Sequence, residues 1–384
     1  MHGESGGVYL VIGGGVVGLS IARELAGTGR HVRVLERLAI GQRAVGIATP
    51  ASLGILIPPA DRPSLFGRLM LAGCRMYPDF CAQLAQETSL DPGFRVGGGL
   101  HLRRKPPRLA VRERLVAAYA NVGVNARWLD DEECRVEFPQ IDSSFVSALA
   151  LPEEACVDPP MLLSVLAESC RRRGVEIVEG VGEVRVELGE SVTVRPTHGD
   201  PVREAKHVVI AAGTWSPTVL GARTAASMLV RPIRGQAIEV ELDLGEAPAF
   251  HFESARDEKE YHVLPKPNGC AWIGSTVENV GFDVGTTDSG AQQLLAALAE
   301  LMPAAAPPVR RHWSGLRPQA GRRGGPFLGP VAGRDDLWVA CGHYRNGVAG
   351  GPISARLLVR QMLGESLTRE SDGFDAAELK ELWP

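Results

Sequence analysis

Gly13, Gly15 and Gly18 are spaced as G-x-G-x-x-G, and Glu36 follows about 20 residues later. That set can hold a dinucleotide. Gly13 allows a tight turn, Gly15 lets a pyrophosphate approach bare backbone, and Gly18 lets a helix pack closely on a strand. The phosphates would sit on a helix N-terminus, where free N–H groups and the dipole favour negative charge. The carboxylate of Glu36 would accept hydrogen bonds from a ribose diol.

The elements needed to position these residues are all legible. Val8–Ile12 is a short apolar run that reads as a buried strand. Leu19, Ile21, Ala22, Leu25 and Ala26 recur at helical spacing, and Gly29 closes that helix. His31–Leu35 reads as a second strand leading into Glu36. A lone glycine motif is weak, but the complete strand–turn–helix–strand–acid unit, Val8–Arg37, is specific for a dinucleotide site.

At 384 residues the chain is too long for one simple core, so two domains are expected, sequential or intertwined. A net charge of −4 argues against nucleic acid as a partner. The seven cysteines form no C-x-x-C pair, so reduced thiols are expected and no metal site. The apolar N-terminus lacks a basic n-region, and glycines that already have a use interrupt it, which argues against a signal peptide. No run approaches a membrane span. A cytoplasmic location is therefore expected.

Past the second strand, Leu38–Pro59 is rich in Gly, Ala and Pro, small residues that suit backbone lying flat against a large ring system. Leu53, Ile55, Leu56 and Ile57 make it too apolar for a mere surface loop. Phe66–Leu84 reads as a long helix interrupted at Pro78, Phe94–Arg103 as a strand bulged at its glycines, and Pro107–Ala120 as an amphipathic helix. Asp130–Glu133 begin a further short helix, acidic at its start as the dipole prefers. Pro159–Arg173 reads as a helix with a cationic C-terminus. Strands follow at Val175–Val178, Glu183–Glu187 and Ser191–Arg195, the last two forming a hairpin. An apolar strand ending at Ala211–Gly213 returns the chain to the dinucleotide site. A second β-rich stretch comprises Ile233–Leu242, Tyr261–Pro265 and Ala271–Thr276, followed by a helix at Ala291–Leu301. The chain finishes with strand Leu337–Cys341, a loop at 342–351 and a helix opened by Pro352.

Taken together, these motifs resemble the D-amino-acid oxidase superfamily of flavoproteins, and most of all its glycine oxidase branch. The resemblance runs nearly the full length. It rests on GGGVVGLSIARELA at the start, PASLGIL at 50–56, VDP at 157–159, AAGTWS at 211–216 and RPIRGQ at 231–236. It continues with LPKPNGCAWIGSTVENVGFD at 264–283, WSGLRP at 313–318 and GHYRNG at 342–347. The fold it implies is α/β, with a discontinuous Rossmann-like FAD-binding domain and a substrate domain on a mainly antiparallel sheet. The implied division gives 1–85, 146–225 and 311–384 to the FAD domain, and 86–145 and 226–310 to the substrate domain. It also implies noncovalent FAD, contacted by Gly13, Gly15, Val16, Val17, Gly18, Glu36, Arg37, Thr49, Ala51, Ser52, Gly54 and Leu56. Further contacts would come from Glu183, Ala212, Gly213, Trp215, Gly342, His343, Arg345, Asn346, Gly347 and Val348.

An amino-acid oxidase moves a hydride from the substrate Cα to flavin and passes the electrons to oxygen. The cofactor performs the hard step; the protein positions the Cα–H and stabilises charge. A substrate carboxylate calls for an arginine fork, and Arg317 in WSGLRP matches the family's carboxylate-binding position. Arg345 matches a residue beside the ring, either contacting substrate or pinning its own loop. The helix start at Gly350–Pro352 would aim its positive end at the flavin.

Three departures from the family pattern bear on substrate choice. His262 stands where the glycine oxidase pattern has tyrosine, with Tyr261 one place earlier. Both are candidate catalytic residues, but strand alternation sets them on opposite faces, so Tyr261 cannot simply replace the missing phenol. The segment Gln319–Gly325 carries Arg322 and Arg323 where an acid is usual, and Ala349–Gly351 suggest more space near the ring. The expected activity is oxidation of glycine or an N-substituted glycine-like amino acid, with oxygen as co-substrate and peroxide and a hydrolysable imine as products. A homo-oligomer is compatible with this reading. Two alternatives stay open: a dehydrogenase that passes electrons to a quinone or partner subunit, and a flavin-binding subunit without catalysis.

Overall fold

Val8–Ile12 occupies an inner position of a six-stranded sheet whose order is Phe327–Pro330, Leu337–Cys341, Ala205–Ile210, Val8–Ile12, Val32–Leu35 and Glu176–Val178. The strands run parallel except at the edge, where Phe327–Pro330 is antiparallel to its neighbour. Tyr9 and Val11 point into one apolar core, Leu10 and Ile12 into another. A strand buried on both faces needs apolar residues throughout, which is why this run does not alternate. Helices Val16–Gly27, Leu65–Thr88, Pro159–Arg172 and Gly347–Met362 supply the first core. The hairpin Val184–Leu188/Val192–Pro196 and the short helix Ser216–Leu220 supply the second. The computed structural model describes residues 7–41, 46–59, 64–203, 205–221, 228–321, 325–369 and 373–384. Arg322 and Arg323 lie outside them.

An eight-stranded sheet is ordered Val309–Ala320, Val230–Val240, Cys270–Gly274, Glu260–Lys266, Ala249–Glu253, Gly99–Arg103, Ser147–Leu151 and Arg127–Leu129. Its pairs are antiparallel except Ala249–Glu253 with Gly99–Arg103. Helix Asp288–Leu301 packs on it through Leu294, Leu298 and Leu301. Two expected boundaries shift. Ser147–Leu151 pairs with Gly99–Arg103, and Val309–Ala320 pairs along Val230–Val240, so both belong to this sheet rather than to the stretches beginning at 146 and 311. Apolar alternation reveals a strand but not which sheet receives it.

Other expectations are corrected by packing. Helix Leu65–Thr88 runs through Pro78 without a break. The stretch 94–103 is two strands in two sheets, Arg95–Val96 beside Ala155–Cys156 and Gly99–Arg103 in the large sheet. The last long helix begins at Gly347, five residues before Pro352. Proline has no N–H to bond the carbonyl four residues back, here that of Val348. The Tyr77 hydroxyl donates to that carbonyl instead, at 2.7 Å, which lets the helix accommodate its proline. No helix among the described residues is long and apolar enough to cross a membrane.

Candidate functional site

A cavity of about 590 Å³ is lined by residues from both large sheets and by the loops that join them. At one end lies the glycine turn. Gly13 holds φ +111°, where a side chain would also strike the Ala211 carbonyl, so the turn requires glycine. A Cβ on Gly18 would collide with the Gly13 carbonyl, so that glycine keeps helix against turn, as expected, and does not line the cavity. Gly15 differs: a Cβ there would meet only Thr49 Oγ1, at 3.3 Å, and would project into the space a pyrophosphate needs. Gly15 gives helix Val16–Gly27 no capping side chain and its first turn holds no acid; Val16 N–H donates to Thr49 Oγ1 at 3.3 Å, and the positive end can still receive an anion. Glu36 braces this turn, accepting from Gly14 N–H at 2.6 Å and Leu38 N–H at 3.0 Å, and its carboxylate also lines the cavity. Arg37 stacks over the Trp215 ring at 4.4 Å, and both residues line the wall. The residues present fit an FAD.

Val16, Val17, Thr49, Ala51, Ser52, Gly54, Glu183, Ala212, Gly213, His343, Asn346, Gly347 and Val348 also line the cavity. Leu56 does not. It is buried in the helix-side core, while Ile55 and Ile57 on either side face the cavity. Gly342 is likewise absent from the wall; a Cβ there would meet Ala320 at 2.9 Å, so its role is in packing. Nor do Gly350 and Gly351 enlarge the space near the ring. A side chain on Gly350 would meet the end of Met70, and one on Gly351 would meet Val16. Those glycines are consumed by helix packing, and the helix start that reaches the cavity is Gly347–Ala349.

Arg317 lies at the other end. Its Nη2 donates to Ser275 Oγ at 2.6 Å, and its Nη1 to the carbonyls of Thr276 at 3.1 Å and Arg234 at 3.4 Å. It has no carboxylate partner among the described residues. The nearby Glu278 is taken by Arg234, at 2.5 Å, and Arg234 also holds Asp283 at 2.7 Å. Across the strand pair, Gly235 leaves the room that the Arg317 guanidinium occupies. Burial, aided by Arg345, lowers Arg317 to about 10, so it remains a cation at neutral pH. Arg345 lines the same space, half exposed, with Glu260 at 3.7 Å.

His262 lines the cavity and Tyr261 does not. The Tyr261 hydroxyl donates to Asp257 at 2.7 Å and accepts from Gln293 at 2.6 Å on the far face of the sheet, which removes Tyr261 from the site. His262 Nδ1 stands 2.8 Å from His251 Nδ1, and His251 Nε2 stands 2.6 Å from Glu154 Oε1. His101 Nε2 meets the other Glu154 oxygen at 3.1 Å and stacks on His251, 4.6 Å between ring centres. Burial, with His251 and Arg345 adding to it, pushes His262 well below the usual histidine range, so the ring is neutral. Burial would raise Glu154, but His251 and His101 outweigh it and hold the carboxyl at about 2. Burial takes His343 down to about 4; its Nε2 meets Ser354 Oγ at 2.9 Å. Sequence reasoning missed His101, Glu154, His251 and Glu260. For His251 a signal existed, since its neighbours Phe250 and Phe252 alternate with it on a strand.

Comparison with known proteins agrees with this geometry. A family profile described as "FAD dependent oxidoreductase" matches residues 9–361. A glycine oxidase of Pseudomonas aeruginosa is 33% identical over 366 residues, covering 92% of this chain and 94% of that protein. A hydrogen cyanide synthase subunit of the same organism is 28% identical, covering 88% of this chain and 79% of that one. The crystal structure of glycine oxidase from Geobacillus kaustophilus superposes with a TM-score of 0.86 at 26% identity, over 98% of each chain.

Proposed function

The chain belongs to the FAD-dependent oxidoreductase family, and from that premise we propose that it oxidises glycine or an N-substituted glycine-like amino acid. Bound FAD supplies the acceptance of a hydride from the substrate Cα and the transfer of electrons to oxygen, and the imine product hydrolyses in water. The observation that carries the reading is Arg317, a buried cation on the cavity wall whose partners among the described residues are a hydroxyl and two carbonyls. Its planar fork matches both oxygens of a carboxylate, and burial strengthens the pairing. Similarity to a glycine oxidase along 92% of the chain supports a small amino acid as the substrate.

The cofactor is held noncovalently in this reading, with its phosphates at Gly15 and the start of helix Val16–Gly27. Its domain is assembled from three separated stretches, supported by the origin of the six sheet strands in residues 8–35, 176–210 and 327–341.

Anaerobic mixing with a panel of amino and N-substituted amino acids tests the reading, with loss of flavin absorbance as the signal. Aerobic turnover should then release one peroxide per substrate. The resemblance to a hydrogen cyanide synthase subunit keeps a second reading in view, electron transfer to another acceptor. Bleaching without stoichiometric peroxide would select it. Bleaching by none of the panel would leave a flavin-binding subunit and overturn both.

A further inference from the structure

Behind the cavity wall lie His251 and Glu154, with His101 on the wall beside them, three groups that oxidation by the bound cofactor does not itself require. His262, His251 and His101 sit side by side on adjacent strands, and Glu154 follows the next strand of the same sheet. Glu154 and His251 are both 1% exposed. An ionised carboxylate only accepts hydrogen bonds, so His251 must donate to it from Nε2. When His251 is neutral its lone pair is on Nδ1, and the proton between the two rings then belongs to Nδ1 of His262. His262 Nε2, which has no protein partner among the described residues, is left with a lone pair.

We propose that Glu154, His251 and His262 form a relay that takes the ammonium proton of the bound amino acid. An N–H bond of the ammonium breaks and Nε2–H forms on His262. In concert, Nδ1–H of His262 breaks and Nδ1–H forms on His251, whose positive charge then lies against Glu154. No electrons change hands. The step matters because a hydride leaves Cα readily only when the amine nitrogen has a free pair to form the C=N bond. It rests on the oxidase reading above, and it deepens that reading by making His262 a base that never keeps the charge.

The surroundings fit that division of labour. Arg345 beside His262 and Arg317 on the same cavity wall oppose a cation at His262, and Glu260 on its own strand is engaged with Arg345. Tyr344 also lines the wall. The strand Cys270–Gly274 places Gly274, which carries no charge, opposite His262. Through His251 the proton moves away from both arginines toward the acid. His101, bonded to the second oxygen of Glu154, is a positioning residue. The same three groups, His101, Glu154 and His251, have ligand atoms within 4.8 Å of one another and could instead converge on a metal ion.

The test uses the FAD-loaded protein and its Glu154→Gln and His251→Gln variants. Anaerobic flavin reduction is followed against pH with glycine, whose amine is basic. It is repeated with N-(2,2,2-trifluoroethyl)glycine, whose amine is already neutral near pH 7. The relay predicts at least a tenfold loss with glycine near pH 7, recovering as pH rises toward the amine's own pKa. It predicts less than a twofold loss with the fluorinated substrate. Equal losses on both substrates at every pH would make the cluster structural and overturn the proposal. Nitrogen-15 NMR of histidine-labelled wild-type protein is independent of turnover and of whether the variants fold. Nε2–H on His251 with Nδ1–H on His262 supports the relay, and Nε2–H on His262, whatever the charge on His251, overturns it. One metal ion per chain by elemental analysis also overturns it. A wild-type flavin that no amino acid reduces sinks the oxidase reading, while the NMR arm still decides the direction of the hydrogen bonds.

Discussion

His251 and His262 are register partners on adjacent antiparallel strands, and their rings meet Nδ1 to Nδ1 at 2.8 Å. The position of the family's site tyrosine is therefore coupled to a buried acid two rings away. A phenol at 262 would have one oxygen, and could not present one atom to His251 while accepting a proton at another.

His262→Tyr is expected to flatten the acid limb of the pH profile. In the wild type the competent state has a neutral His262, so kcat/KM falls as pH drops through its value. Burial and Arg345 hold His262 below the ordinary histidine value, so its own limb lies below about pH 6.5. The variant should also favour small glycine-like substrates. The measurement is kcat/KM against pH on glycine, sarcosine and a bulkier N-substituted glycine; identical profiles and rankings would make His262 a plain strand residue.

Arg317→Leu should cost on the order of 2–5 kcal/mol of transition-state binding. Arg317→Lys should recover only part, because an ammonium lacks the two-pronged fork. Steady-state kcat/KM on the best substrate measures both. Near-normal turnover by the leucine variant would rule out a carboxylate clamp.

Gly15→Val should fold and purify without FAD. The added side chain has room in the protein alone, where only Thr49 Oγ1 lies near its Cβ, but it fills the phosphate's place. Circular dichroism and the absorbance spectrum decide this together: a folded yellow variant would refute the assignment.

Tyr77→Phe removes the donor to the Val348 carbonyl, which Pro352 cannot satisfy. The orphaned buried carbonyl should cost about 1–3 kcal/mol of stability, read by urea melting. Because Val348 lines the cavity, FAD should also dissociate faster. An unchanged melt would mean that water or a shifted helix replaces the bond.

What could be read from the sequence was local. The Val8–Arg37 unit carries its own turn chemistry and periodicity, and strand alternation alone separated Tyr261 from His262. The relay was out of reach, because His101, Glu154 and His251 come from distant stretches. They meet through the pairing of Gly99–Arg103 with Ala249–Glu253 on one side and with Ser147–Leu151 on the other, which no local pattern encodes. Gly350 and Gly351 misled for the converse reason. Small residues look like empty space in a sequence, yet here Met70 and Val16 occupy it. The boundaries at 146 and 311 shift because Ser147–Leu151 and Val309–Ala320, which no sequence signal marked as strands, join the large sheet.

The strand Val8–Ile12 is hydrogen-bonded to Ala205–Ile210, and that strand to Leu337–Cys341. On the ribosome the glycine turn emerges first, yet the sheet holding it stays incomplete until Cys341 has been made. Until then Ala205–Ile210 has an open edge, and the cavity lacks the wall that residues of 315–318 and 340–349 supply. Contacts of such sequence separation form slowly. Cofactor capture is therefore a late event of folding, and a chain cut short before Leu337 should be a client for chaperones rather than a smaller flavoprotein.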